Sequence, residues 1–195
     1  MTEITDTSVR LAPALERFVL QWGDMGGRWG VNRSVSQIHA LLYVSERPLT
    51  AEEIADTLGL ARSNVSNSLK ELLSWQLIRR VPMRGDRREH FEAEADLWTM
   101  FLRIAAGRRE REIDPALSVL RSCVAEAQAD ATINPLAVQR LGAMLSFVET
   151  MNHWAEQVLR LPHSTLVALV KMGSKVSRVL DAGKSLTKAK PNPSN

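Results

Sequence analysis

The side chains with the clearest chemistry are Arg62, Ser63, Asn64, Ser66, Asn67 and Lys70. Amides and guanidinium groups hydrogen-bond base edges, while hydroxyls and ammonium groups clamp phosphates. At helical spacing these six fall on the outer faces of one helix, weighted to its N-terminal half. Val65, Leu69, Leu72 and Leu73 are left to face a core. That is how a helix laid in a DNA major groove is built. A second basic group follows closely. Arg84, Arg87 and Arg88 gather around Gly85-Asp86, a hairpin signal. Asp86 is placed to brace one of these arginines for a phosphate or a narrow minor groove.

The elements that must position these groups lie between Leu49 and Glu92, in LTAEEIADTLGLARSNVSNSLKELLSWQLIRRVPMRGDRREHFE. Thr50 caps a first helix, and Glu53 completes a capping box. Ile54, Ala55 and Leu58 give that helix its apolar stripe, and Gly59 suits a left-handed C-terminal residue. The second helix is expected from about Ala61 to Trp75. Ala61 is a poor N-cap, where Ser or Thr would serve better. Leu77, Ile78 and Val81 read as a strand, Pro82 to Arg88 as the turn, and His90, Phe91 and Glu92 as the return strand. Helix, turn, helix and basic hairpin in that order make a winged helix-turn-helix. Winged helices also serve as protein-interaction modules that bind no DNA. The bare cap and the modest overall charge are the features that favour that alternative.

Charge is distributed unevenly. Residues 61–90 hold seven Lys/Arg against three Asp/Glu, and residues 171–195 hold six against one. The rest of the chain is net acidic, so positive charge concentrates in the reader segment and the tail, as a phosphate-binding surface requires. Cys123 is the one cysteine, which excludes an intrachain disulfide and fits a reducing cytoplasm. The N-terminus does not read as a signal peptide, and no stretch reaches the ~18 apolar residues of a membrane span. His39, His90, His153 and His163 are scattered without metal-ligand spacing, so no metal is expected. Gly183-Lys184-Ser185 lacks the earlier glycine of a phosphate loop, and GDMGGRWG has no strand before it. No catalytic residue, enzyme activity or cofactor is expected. His39 reads as a helix-face residue.

Outside the wing the chain reads as helical. A helix from about Val9 to Met25 puts Leu11, Leu15, Phe18, Val19 and Trp22 on one stripe, and Gly23, Gly26, Gly27 and Gly30 mark a bend after it. A scaffold helix starts near Ser34, with Gln37 as a capping-box partner. Asp96 caps a further helix, Asp114-Pro115 opens another, and Asn134-Pro135 opens a third. In the third, Val138, Leu141, Leu145, Val148, Ala155 and Leu159 form a seam, with Asn152 in the same series. A last helix spans His163 to Leu180 with Val176 and Val179 on its apolar face, before a polar tail expected to be disordered. The fold class is thus mainly α: a winged helix-turn-helix with a short β-hairpin wing, flanked by long dimerisation helices. Four segments follow: an N-terminal helix and bend (1–33), the winged domain (34–95), a C-terminal helical region for dimerisation and an effector (96–181), and a basic tail (182–195). Terminal helices too apolar for one small domain imply a homodimer, which would present two reader helices to a pseudo-palindromic site in double-stranded DNA.

The chain resembles MarR-type winged-helix repressors, and more closely their GbsR branch. The resemblance rests on FVLQWGDMGGRWGVNRSVSQIHALLYVSERPLTAEEIADTLGLARSNVSNSLKELLSWQLIRRV, on GDRREHFEAEADLWTMF and on RREREIDPAL, and covers roughly Phe18 to Leu117. Asp86-Arg87-Arg88 matches the Asp-x-Arg element of the family's wing. The resemblance implies a cytoplasmic, dimeric regulator of transcription, often a repressor released by a small molecule. GbsR-like members are associated with compatible-solute genes, and some respond to choline. A quaternary ammonium needs an aromatic cage. Trp22, Trp29, Trp98, Phe101 and Trp154 are the residues that would have to converge to form one.

Overall fold

The computed structural model describes residues 10–170 and Met172. Val9, the helix expected onward to Leu180 with Val176 and Val179, Gly183-Lys184-Ser185 and the tail at 182–195 lie outside the described residues. The chain divides into two compact units, Met1–Arg108 and Arg109–Asn195.

In the first unit, α1 (Pro13–Arg28) begins with a proline that needs no amide partner there. It does not end at the glycines. Gly23, Gly26 and Gly27 are helical, and only Gly30, at φ +77°, makes the turn. The expected bend is therefore a helix-packing surface. A Cβ on Gly23 would stand 2.4 Å from the Gln37 side chain, and one on Gly26 would stand 1.9 Å from Ser36 Oγ. The missing side chains let α2 (Arg33–Val44) lie directly against α1. Gln37 is accordingly buried against α1 and is not a cap. Asn32 caps α2, its Oδ1 accepting from Ser34 N at 2.8 Å. On the α1 stripe Val19 is buried and Phe18 and Trp22 pack against the core, while Leu15 is exposed.

Helix α2 is buried on every side from Val35 to Leu42, the pattern of a central helix. The face that carries His39 is an inner one, and the imidazole is buried with the rest of the helix. Around α2 pack α3 (Ala51–Leu58), α4 (Arg62–Ser74) and a three-stranded antiparallel sheet. The sheet has β1 (Leu49–Thr50) at one edge, β3 (His90–Ala93) in the middle and β2 (Ile78–Val81) at the other edge. Leu49 lies opposite Phe91, and Ile78 opposite Ala93. The strand β1 was not anticipated; two residues are too short to show alternation. Helix α5 (Leu97–Arg108) adds Met100 to the same core. It is capped by Asp96, whose Oδ1 accepts from Thr99 N at 2.6 Å. Gly107 lets α5 approach the Trp75 ring, which a Cβ would meet at 2.6 Å.

The second unit opens with a π-helical turn, Arg109–Ile113, that runs into α6 (Asp114–Ala129). Asp114 is therefore not an N-cap. Its carboxylate pairs with Arg109 at 3.5 Å, and Ile113 before it is helical. Helix α7 (Pro135–Leu159) is capped by Asn134 as expected, Oδ1 accepting from Leu136 N at 2.8 Å. The short connection makes α6 and α7 antiparallel neighbours. Arg121–Glu149 at 2.8 Å and Arg109–Glu156 at 3.0 Å cross between this unit's helical segments. The expected seam, Val138 through Asn152 to Leu159, is half-buried against α6, which contributes Leu117, Val124 and Ala127. None of the described helices is long and apolar enough to cross a membrane.

Candidate nucleic-acid interface

The reader helix is held at both ends by its neighbours. The capping box fixes the start of α3: Thr50 Oγ1 accepts from Glu53 N at 3.2 Å, and Thr50 N donates to Glu53 Oε2 at 2.8 Å. Arg47 Nη2 donates to Glu53 Oε1 at 2.6 Å. Burial pushes the Glu53 carboxyl up, but the Arg47 and Thr50 hydrogen bonds outweigh it and hold the group below its ordinary value. Gly59, at φ +63°, closes α3, and Leu60 N donates to Ala55 O at 3.0 Å. Helix α4 then starts from Ala61 with no side-chain cap. Its C-terminus closes in a Schellman arrangement, with Leu77 N on Leu72 O and Gln76 N on Leu73 O. Gln76 takes the left-handed conformation there, at φ +56°, where glycine is usual.

Val65, Ser68, Leu69 and Leu72 face the core. Ser63, Ser66, Asn67 and Lys70 are exposed, as is Arg62, whose Nη2 meets Glu52 Oε1 at 2.5 Å. Asn64 differs from the rest. It is half-buried; its Nδ2 donates to Ser34 Oγ at 2.9 Å, and its Oδ1 accepts from Ser68 Oγ at 3.4 Å. Both ends of its amide are engaged within the protein, tying α4 to the start of α2.

In the wing, Gly85 at φ +85° makes the tip, and Asp86 N donates to Met83 O at 3.2 Å. Asp86 then gathers Arg88: Oδ1 accepts from the Arg88 amide at 2.9 Å, and Oδ2 from Nη2 at 2.6 Å. These bonds hold the Asp86 carboxyl far below the usual carboxylate range and raise the Arg88 guanidinium. His90 is buried at the root of the wing. Its Nδ1 lies 3.0 Å from Arg88 O, and its Nε2 lies 3.5 Å from Asp86 Oδ2. Arg80 pairs with Glu89 at 2.9 Å, and Arg79 pairs with Glu92 across the strands. Local carboxylates thus neutralise much of the basic charge legible in the sequence. Of the cations on reader helix and wing, Lys70, Arg84 and Arg87 form no ion pair among the described residues. Ser66 and Lys70 of α4 and Arg80 and Arg88 of the wing line one cleft of about 360 Å³, floored by Leu69 and Phe91. Reader and wing therefore stand side by side.

Two aromatic pairs form within the first unit. Trp22 packs on Phe18, ring centroids 5.5 Å apart. Trp98 meets Phe101 edge-on at 6.2 Å. Trp29 is largely exposed, its carbonyl accepting from Arg108 Nη2 at 2.9 Å, and Trp154 belongs to the second unit. The described residues hold no group of three or more His, Cys, Asp or Glu placed to bind a metal.

Residues 29–89, from the end of α1 to the foot of β3, match the MarR family. The winged segment is similar to the MarR family. Helices α1 and α5 lie outside the matched residues, although they share the domain's core. The chain is 28% identical over 102 residues to the HTH-type transcriptional repressor GbsR of Bacillus subtilis (strain 168), covering 52% of this chain and 54% of GbsR. The HTH-type transcriptional repressor OpcR of the same organism is 18% identical over 137 residues, covering 68% of this chain and 74% of OpcR. The putative HTH-type transcriptional regulator YvaV, also of that organism, is 21% identical over 89 residues, covering 46% of this chain and 50% of YvaV. The chain spans about half the length of GbsR and YvaV in these matches. A solved structure described as a transcriptional regulator superposes with a TM-score of 0.58 at 21% identity, covering 75% of this chain and 96% of that one, which shows the shared fold.

Proposed function

We propose that this protein is a sequence-specific DNA-binding regulator of transcription, a repressor acting as a homodimer in the cytoplasm. The observation that carries the reading is the shared surface of α4 and the wing. Asn67, Ser63 and Ser66 stand exposed on the reader helix, Ser66 and Lys70 share a cleft with Arg80 and Arg88 of the wing, and Lys70, Arg84 and Arg87 form no ion pair among the described residues. Asn67 suits an adenine edge, and the three free cations suit phosphates. The uncapped N-terminus of α4 adds unsatisfied amides to the same end, where a phosphate is favoured. Arg88, oriented by Asp86, is a preformed fork for the wing's contact with the minor groove, where its charge, already paired, adds no net cation. A dimer would double this surface on a pseudo-palindromic operator.

The test is an anisotropy titration against the DNA upstream of the protein's own gene, with random DNA as reference. Specific binding tighter by ~10³-fold or more is expected. Equal affinity for both DNAs across low and moderate salt would overturn the reading. We further propose that a small molecule releases the DNA and that the pair of half-buried Trp98 and exposed Phe101 takes part in sensing it. Quenching of tryptophan fluorescence by choline, lost in Trp98→Phe, would support this; an unchanged spectrum up to millimolar ligand would remove choline from consideration.

A further inference from the structure

Helix α7 has two apolar stripes. One packs on α6. The other is open: Met144 is 58% exposed, Phe147 66%, Met151 46% and Trp154 58%. A single long helix in water does not ordinarily carry four such residues on one face without a partner. Their spacing along the helix is three, four and three residues, so the stripe is straight, and chain reversal maps the spacing onto itself. Side-chain type follows the same symmetry. When two copies of α7 run antiparallel about a two-fold axis, Met144 comes opposite the partner's Trp154, and Phe147 comes opposite the partner's Met151. Every pair across the axis then joins a thioether to an aromatic ring, a favourable contact. Glu149 and Glu156 are turned to Arg121 and Arg109 within their own chain, and Arg140, exposed on the same face, lies one turn outside the four-residue stripe.

We infer that this stripe, Met144, Phe147, Met151 and Trp154, is the self-association face of the protein, pairing antiparallel with the same stripe of a second copy. The inference rests on the dimeric reading above and deepens it by assigning the surface and the register. The occupant is a second copy because the stripe is complementary to its own reversal. Area supports the same choice. With ~150–250 Å² per large aromatic side chain, the four residues and the exposed Leu136 offer on the order of 500 Å² per chain. Flanking residues along α7 bring that toward the ~800 Å² per partner of a standard interface. The seam expected from the sequence, Val138 to Leu159, is already occupied by α6 and is excluded from the role.

The test uses the full chain with Cys123→Ser as background. Light scattering and sedimentation equilibrium should show a dimer. Phe147→Glu should raise its dissociation constant by more than about 100-fold, because the interface would then bury an unpaired carboxylate. Far-UV circular dichroism should remain that of the parent, since position 147 is exposed in the monomer. Mixing Met144→Cys with Trp154→Cys under oxidation should yield a cross-linked heterodimer, while neither variant alone cross-links, because each cysteine would lie about ten residues along the helix from its own copy. Self-cross-linking of either single variant would overturn the antiparallel register. A dimer that survives Phe147→Glu would overturn the surface while leaving the dimeric reading in place. A parent chain that stays monomeric overturns both.

Discussion

Asn64 and Asn67 stand one turn apart on α4 and have the same chemistry, yet the structure gives them different work. Asn64 spends its amide on Ser34 and Ser68, whereas Asn67 is exposed with no such bond among the described residues. Asn67→Ala is expected to relax base preference at one position of the operator by about 1–3 kcal/mol, measured by competition with single-base operator variants. Asn64→Ala is expected to leave preference intact and to lower stability by about 1 kcal/mol, the net worth of a hydrogen bond, with binding weakened equally for all sequences. A changed sequence preference in Asn64→Ala would show that its tie to α2 opens on DNA. The six reader positions were legible as a helix face because polarity follows period. Which of them is held inside the protein was not, since Ser34 lies thirty residues away in sequence.

His39 gives a pH prediction at the same scale. Burial pushes its imidazole down from 6.5 to about 4, and its Nε2 has no hydrogen-bond partner. The unfolded chain therefore takes up the proton first. Stability is complete above pH 6.5 and falls as pH drops from 6.5 toward 4. At pH 5 the loss is about 2 kcal/mol, from 1.36 kcal/mol per unit over the interval below 6.5. Glu53 and Asp86, whose carboxyls are held below their ordinary values, lose their contribution only at more acid pH. Urea unfolding at pH 7.5 and pH 5.0 should show this difference in the parent and a much smaller one in His39→Leu. Equal pH dependence in both would assign the acid sensitivity elsewhere.

At the scale of elements, the caps and turns were the readable part. Thr50-Glu53, Gly59, Asp96 and Asn134 all signal their role locally, because a cap is a contact between near neighbours in sequence. The glycines of α1 were misleading for the complementary reason: a glycine that admits another helix looks in sequence like one that breaks its own. The two uses separate by substitution. Gly26→Ala would force a Cβ to within 1.9 Å of Ser36 Oγ and is expected to cost about 1–3 kcal/mol as α1 is pushed off α2. Gly27→Ala, with nothing within 4 Å of its Cβ position, is expected to stabilise the helix by about 0.5–1 kcal/mol. Thermal melts of the two variants should move in opposite directions. Movement in the same direction would mean that α1 does not depend on the close approach. The same distance-in-sequence limit explains α7, whose heptad seam was plain but whose partner, α6 or a second chain, was not.

For the whole molecule, the consequential quantity is how many phosphates one particle neutralises. Sequence charge alone would credit every arginine of residues 61–90, but Arg62, Arg79, Arg80 and Arg88 are paired with carboxylates. Lys70, Arg84 and Arg87 remain, three cations per protomer on reader and wing. Each phosphate neutralised contributes about −0.9 to the slope of log K against log salt, so one protomer gives about −3 and a dimer on two half-sites about −5. The parent protein on a full operator should show the steeper value. Phe147→Glu on a single half-site should show the shallower one, with lower affinity. Arg87→Ala should flatten the dimer slope by about 2, since two copies are lost, and weaken all sequences alike. A parent slope no steeper than about −2 would mean that these cations do not reach the backbone. A steep slope unchanged by Phe147→Glu would mean that the two readers are joined by some surface other than the open stripe of α7.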